Sequence, residues 1–105
     1  MSWINVAPYA DIEGEETLPI EVDGQKICLY NLDGKVFATD NQCTHGDAAL
    51  SDGLIQEGGL IECPLHEGTF DIRTGEAKGA PCTQDLRCHE IKVEGGVIYL
   101  RPAAR

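Results

Sequence analysis

Residues 17–40 read TLPIEVDGQKICLYNLDGKVFATD, and the punctuation of this stretch decides the fold. Two Asp-Gly pairs, Asp23-Gly24 and Asp33-Gly34, separate three runs rich in isoleucine, leucine, valine, tyrosine and phenylalanine. A two-residue hairpin loop that follows the right-handed twist of its strands needs positive φ at both central positions, and Asp-Gly adopts it readily. The runs have strand length, and their β-branched and aromatic residues suit a pleated, half-buried surface. The stretch therefore predicts two hairpins in succession.

Working outward, WINV opens the chain, and LRCHEIKV and VIYLR flank a Glu-Gly-Gly turn near its end, predicting a further hairpin. No apolar stripe of helical period is long enough for a helix, and a single turn near Ala48–Leu50 is the most helix expected. The reading is all-β. Strands before residue 40 and after residue 85 build a small antiparallel sandwich or barrel. Residues 41–82 differ in texture: they hold seven of the twelve glycines and the turn sequences SDG, EGG and RTGE, with short strands expected at LIQ, LIEC and TFDI. One domain over 1–105 is expected, with a base at 1–40 and 83–105 and an inserted loop-rich subdomain at about 41–82.

Composition narrows the class of function. A chain of 105 residues is one domain by size. It is 25% charged and 42% hydrophobic, which is ordinary for a globular protein. Eight basic against 18 acidic residues give a formal charge of −10, which repels nucleic acid and anionic membrane surfaces. No signal peptide and no run near ~20 apolar residues is present, so the expected location is the cytoplasm, where thiols stay reduced. Five cysteines there read as metal ligands or inert core residues before they read as disulfides.

Residues 43–46 are CTHG and residues 63–66 are CPLH. Each box pairs one thiol with one imidazole. Structural zinc sites usually pair like with like, C-x2-4-C then H-x3-5-H. A mixed arm suits a site with two metal centres: each loop sends its cysteine to one iron and its histidine to the other, clamping two irons and two sulfides. Two neutral imidazoles in place of two thiolates make an added electron less costly than in an all-cysteine cluster. A zinc-stabilised structural or interaction module remains the alternative.

CTHG and CPLH, followed by GTFD and RTG, resemble the two cluster-binding boxes of Rieske iron–sulfur proteins. Over nearly the whole chain the sequence is similar to the small Rieske ferredoxins of multicomponent bacterial aromatic ring-hydroxylating dioxygenases. The resemblance implies one [2Fe–2S] Rieske cluster in the 41–82 subdomain, with Cys43 and Cys63 on one iron and His45 and His66 on the other. It implies a monomeric electron carrier, not an enzyme, between a flavin-containing ferredoxin reductase and a terminal Rieske oxygenase. Thr44 and Gly46 would keep the first loop tight, Pro64 would stiffen the second, and Gly79-Ala80-Pro81 resembles the proline loop that covers the cluster. Respiratory-chain relatives carry an extra, disulfide-forming cysteine after each box, where this chain has Ala48 and Leu65. They also carry a serine and a tyrosine that donate to sulfur, where this chain has Gly68 and Phe70. The missing donors imply a low potential.

The remaining polar and aromatic residues read more plainly. Cys28, Cys82 and Cys88 read as small buried or half-buried hydrophobes, and His89 as a surface strand residue. Trp3 and the tyrosines read as core or rim. Asp47, Asp52, Glu62 and Glu67 form either a solvated acidic face or a docking rim, with Leu65 as its apolar centre. A terminal oxygenase needs a further iron on two histidines and a carboxylate, and only His89 is left over. A Rieske carrier serving another oxygenase or reductase system, such as an oxidative demethylase or a nitrite reductase assembly, stays open.

Overall fold

The computed structural model describes residues 3–44, 48–65, 68–79 and 84–103. Its strands are β1 (Ile4–Pro8), β2 (Thr17–Val22), β3 (Gln25–Leu32), β4 (Lys35–Asp40), β5 (Leu54–Gln56), β6 (Leu60–Glu62), β7 (Thr69–Asp71), β8 (Ala77–Gly79), β9 (Cys88–Glu94) and β10 (Val97–Arg101). Short 3₁₀ turns lie at Tyr9–Asp11 and Leu50–Asp52. The helical turn expected near Ala48–Leu50 thus sits two residues later. All-β architecture holds throughout the described residues.

The three predicted hairpins form as read. Asp23 and Gly24 have φ of 50° and 78°, Asp33 and Gly34 have 53° and 90°, and Gly95 and Gly96 have 56° and 77°. Positive φ at both loop positions is the type I′ signature, which is why each turn reverses the chain in two residues. The strands join in one antiparallel sheet of order β1-β10-β9-β4-β3-β2. The seam between β9 and β4 is narrow, with Ala38 opposite His89 and Thr39 opposite Cys88. Ala7, Val22, Ile27, Leu29, Ala38, Ile98 and Leu100, drawn from both ends of this sheet, meet in one buried cluster, so the sheet curls into a near-barrel. Trp3 lies on the rim, its ring covered by Lys92 Nζ at 4.9 Å and Arg101 at 4.7 Å.

The second sheet is smaller, with order β5-β6-β7-β8. LIQ, LIEC and TFDI provide β5, β6 and β7, as the sequence suggests, and β8 is an addition. A second buried cluster lies beneath it: Cys28 and Tyr30 from β3 pack with Cys43, Leu50, Ile61, Cys63, Phe70, Ile72 and Leu86. The alternation of β3 explains both layers. Ile27 and Leu29 face the first core while Cys28 and Tyr30 face the second, and all four are 0% exposed. A strand buried on both faces reads as a continuous apolar run, here ICLY.

Candidate metal centre

The two boxes sit on loops of matching construction. Cys43 N–H donates to the Ala48 carbonyl at 2.9 Å, and Cys63 N–H donates to the Gly68 carbonyl at 2.7 Å. Each bond links a cysteine to the residue five positions on, so each closes a six-residue loop with the histidine of its box inside. The second loop joins β6 to β7, whose pair Glu62–Thr69 lies just below it. Gly53 lets another segment approach there, because a Cβ on it would run into the Glu62 carbonyl oxygen.

The first loop stands on Asn41, a residue the sequence reading passed over. Asn41 N–H donates to Lys26 O at 3.0 Å, and Asn41 O accepts from Leu50 N–H at 2.7 Å. Its side chain accepts from Ser51 N–H at 2.9 Å and donates to Ser51 Oγ at 3.1 Å. Gln42 then bridges Ala49, and the Cys43–Ala48 bond closes the ladder. The available sequence signal was an asparagine between a strand end and a ligand, where a side chain often stands in for backbone partners. Thr44 Oγ1 donates to the Gln84 carbonyl at 2.6 Å, tying this loop to the segment beyond residue 83.

The cysteines converge. Cys43 is 2% and Cys63 1% exposed. Burial pushes the Cys63 thiol up, a hydrogen bond with the Cys43 side chain adds to the shift, and the Leu65 backbone N–H pulls the other way. The two sulfurs are therefore neighbours, and a backbone amide is already aimed at one of them. Two adjacent buried thiolates need a cation between or beside them, so this donor set fits a metal centre. Cys28 contrasts with them: burial pushes its thiol up to about 12, with the neighbouring Tyr30 hydroxyl and the Leu18 backbone acting the other way, so it is inert. Cys88 is half-buried, its thiol raised by burial first and then by Asp71 and Asp40.

Among the environment residues, Gly68 and Phe70 are buried while Pro64 and Leu65 are exposed, Leu65 at 38%. Asp52 is exposed and Glu62 half-buried. His45, Gly46, Asp47, His66, Glu67, Pro81 and Cys82 lie outside the described residues. Among the described residues, which exclude the two box histidines, no three His, Cys, Asp or Glu side chains are grouped for a metal.

His89 corrects an expectation. The sequence suggests a surface residue, whereas the side chain is 0% exposed. Its Nε2 lies 2.8 Å from Asp40 Oδ1, and Ala103 N–H donates to its Nδ1 at 2.9 Å. It shares a strand face with Ile91, which packs on the first core, and that alternation was the missed signal. With both ring nitrogens engaged, His89 is not a spare metal ligand. Tyr30, in the floor of the second core, donates to Thr39 Oγ1 at 2.8 Å, since the Thr39 hydroxyl itself donates to Asp40 O at 2.8 Å.

Comparison with known proteins agrees with this geometry. Residues 2–90 match the family model described as the Rieske [2Fe-2S] domain. A ferredoxin component of the naphthalene 1,2-dioxygenase/salicylate 5-hydroxylase systems of Ralstonia sp. is 43% identical over 100 residues, covering 95% of each chain. The solved ferredoxin of carbazole 1,9a-dioxygenase from Nocardioides aromaticivorans superposes with a TM-score of 0.90 at 31% identity, over 98% of this chain and 100% of that one. A ferredoxin in a solved complex of reduced oxygenase and oxidized ferredoxin in carbazole 1,9a-dioxygenase gives 0.86 at 31% identity, over 98% and 97%. Among the described residues no helix is long and apolar enough to cross a membrane.

Proposed function

Because the chain belongs to the Rieske [2Fe-2S] domain family, we propose that it is the ferredoxin of an aromatic ring-hydroxylating dioxygenase system, a one-electron carrier to a terminal Rieske oxygenase. The observation that carries the reading is the meeting of two buried cysteine sulfurs from two identically closed loops. His45 and His66, one in each loop, are the proposed ligands of the second iron. When bound, the cluster supplies a single-electron acceptor whose charge changes by one. Cys43 and Cys63 hold it, the Leu65 N–H supports the sulfur charge, and the apolar floor of Leu50, Ile61 and Phe70 excludes water. No further iron site is available from His89.

The carrier takes its electron from a flavin-containing reductase and works in the cytoplasm as a monomer. Residues of about 41–82 serve as its cluster-binding part, on a base formed by 1–40 and 83–105. The proposed docking spot has the exposed Leu65 as its apolar centre, with Asp47, Asp52, Glu62 and Glu67, all near the boxes in sequence, as the acidic residues that would recognise a basic partner. Gly79-Ala80-Pro81 is proposed to cover the cluster.

Metal and sulfide analysis tests the centre: two irons and two acid-labile sulfides per chain are expected, whereas one zinc and no sulfide would sink the reading. Replacing His45 or His66 with Ala should abolish the electron paramagnetic resonance signal of the reduced protein. A panel of reductases and terminal oxygenases, assayed for electron delivery through this chain, would identify the client system.

A further inference from the structure

The geometry around His89 fixes where its proton sits. Ala103 N–H points at Nδ1 from 2.9 Å, so Nδ1 is the bare, accepting nitrogen. Nε2 then carries the ring's one proton and donates it to Asp40 Oδ1 at 2.8 Å. Asp40 also takes Arg87 Nη2 on Oδ2 at 3.1 Å, and its own N–H donates to Arg87 O at 2.9 Å. Asp40 is the last residue of β4, and the next three residues are the rungs of the first loop: Asn41 to Leu50, Gln42 to Ala49, Cys43 to Ala48. Only the pairs Ala38–His89 and Thr39–Cys88 join β4 to β9. The His89–Asp40 bond, beside the Arg87–Asp40 pair, is thus a side-chain brace at the point where the base hands over to the loop.

We propose that His89 positions the first cluster-binding loop through Asp40 by donating from Nε2–H, and that the bare Nδ1 of this tautomer holds the Ala103 N–H. A second proton would sit on Nδ1, face to face with the Ala103 N–H, and release the C-terminal segment. The ring would keep Asp40 and lose Ala103, so acid breaks one identified bond. Charged and titratable groups around it are Asp40 and Arg87 at the Nε2 side, Cys88 on its own strand, and the Glu90–Arg101 pair on the β9–β10 ladder. The brace rests on Cys43 being a cluster ligand; the tautomer and its proton sensitivity do not.

The oxidised, cluster-loaded protein tests each part. Ring ¹⁵N shifts, assigned by comparison with His89→Gln, should show the Nε2–H tautomer at neutral pH. Hydrogen exchange of the Ala103 amide, normalised to its intrinsic rate, should show protection that falls about tenfold per pH unit on the acid side as the ring takes its second proton. Glutamine offers a donor and an acceptor without titrating, so in His89→Gln the same protection should be flat with pH. His89→Leu has neither group and should lose the visible absorption of the cluster severalfold faster than the parent at neutral pH, with His89→Gln restoring retention. An Nδ1–H tautomer, an Ala103 amide that stays protected down the acid side, or a His89→Leu protein that keeps its cluster as long as the parent would each overturn the proposal. The tautomer and exchange measurements use the parent and the glutamine variant only. They stand whether or not the leucine variant folds and whichever oxygenase the protein serves.

Discussion

Phe70 is 0% exposed, pairs with Ile61 across the sheet, and lies two residues beyond the carbonyl that closes the second loop. A hydroxyl added to its ring would enter a water-free region, where it needs an acceptor. In high-potential relatives the matching tyrosine donates to sulfur and so stabilises the extra electron. With Gly68 and Phe70 the midpoint is expected near the bottom of the Rieske range, roughly −150 mV. Phe70→Tyr is predicted to raise it, as protein-film voltammetry would record, and a parent midpoint well above zero would remove the low-potential reading. The proposed ligand cysteines stand out in the sequence because a two-centre site asks for a thiol and an imidazole on each of two loops. Burial does not mark them, since Cys28, outside both boxes, is as buried as Cys43 and Cys63. Spacing relative to histidine separates them; hydrophobic context does not.

At the level of elements, the first loop is held by a ladder that begins at Asn41. Removing its side chain leaves the Ser51 N–H without its acceptor, and an orphaned, partly buried donor costs roughly 1–3 kcal/mol. Asn41→Ala should lower the urea midpoint by the corresponding amount with an unchanged m-value. A loss under about 0.5 kcal/mol, the range of a neutral surface change, would mean the backbone rungs suffice alone. The hairpins around Asp23-Gly24 and Asp33-Gly34 were legible because their turns demand φ > 0 and few residues supply it. β8 was not: Ala77, Lys78 and Gly79 have poor strand propensity and pair with β7 through an irregular register. Tertiary pairing, which the local sequence does not encode, creates that strand. His89 was legible in part: its alternation with Ile91 marks an inward face, but the group that caps its ring, Ala103, lies fourteen residues away along the chain.

For the whole molecule the dominant long-range property is a formal charge of −10. Partners with basic faces would be drawn to it from beyond contact, and salt shortens that reach to a Debye length of ~10 Å or less. Stopped-flow electron transfer to or from this protein should therefore slow as ionic strength rises. Rates flat from low to high salt would assign the acidity to solubility alone. The position of β3 between two buried clusters carries a lesson for protein engineering. A segment cut at residues 41 and 82 and grafted onto a foreign scaffold would take both cysteine boxes but leave Cys28 and Tyr30 behind. Leu50, Ile61 and Phe70 would then face solvent where β3 had been. The ligand loops are not a portable cassette; any host must supply a strand that presents a second apolar face at that place.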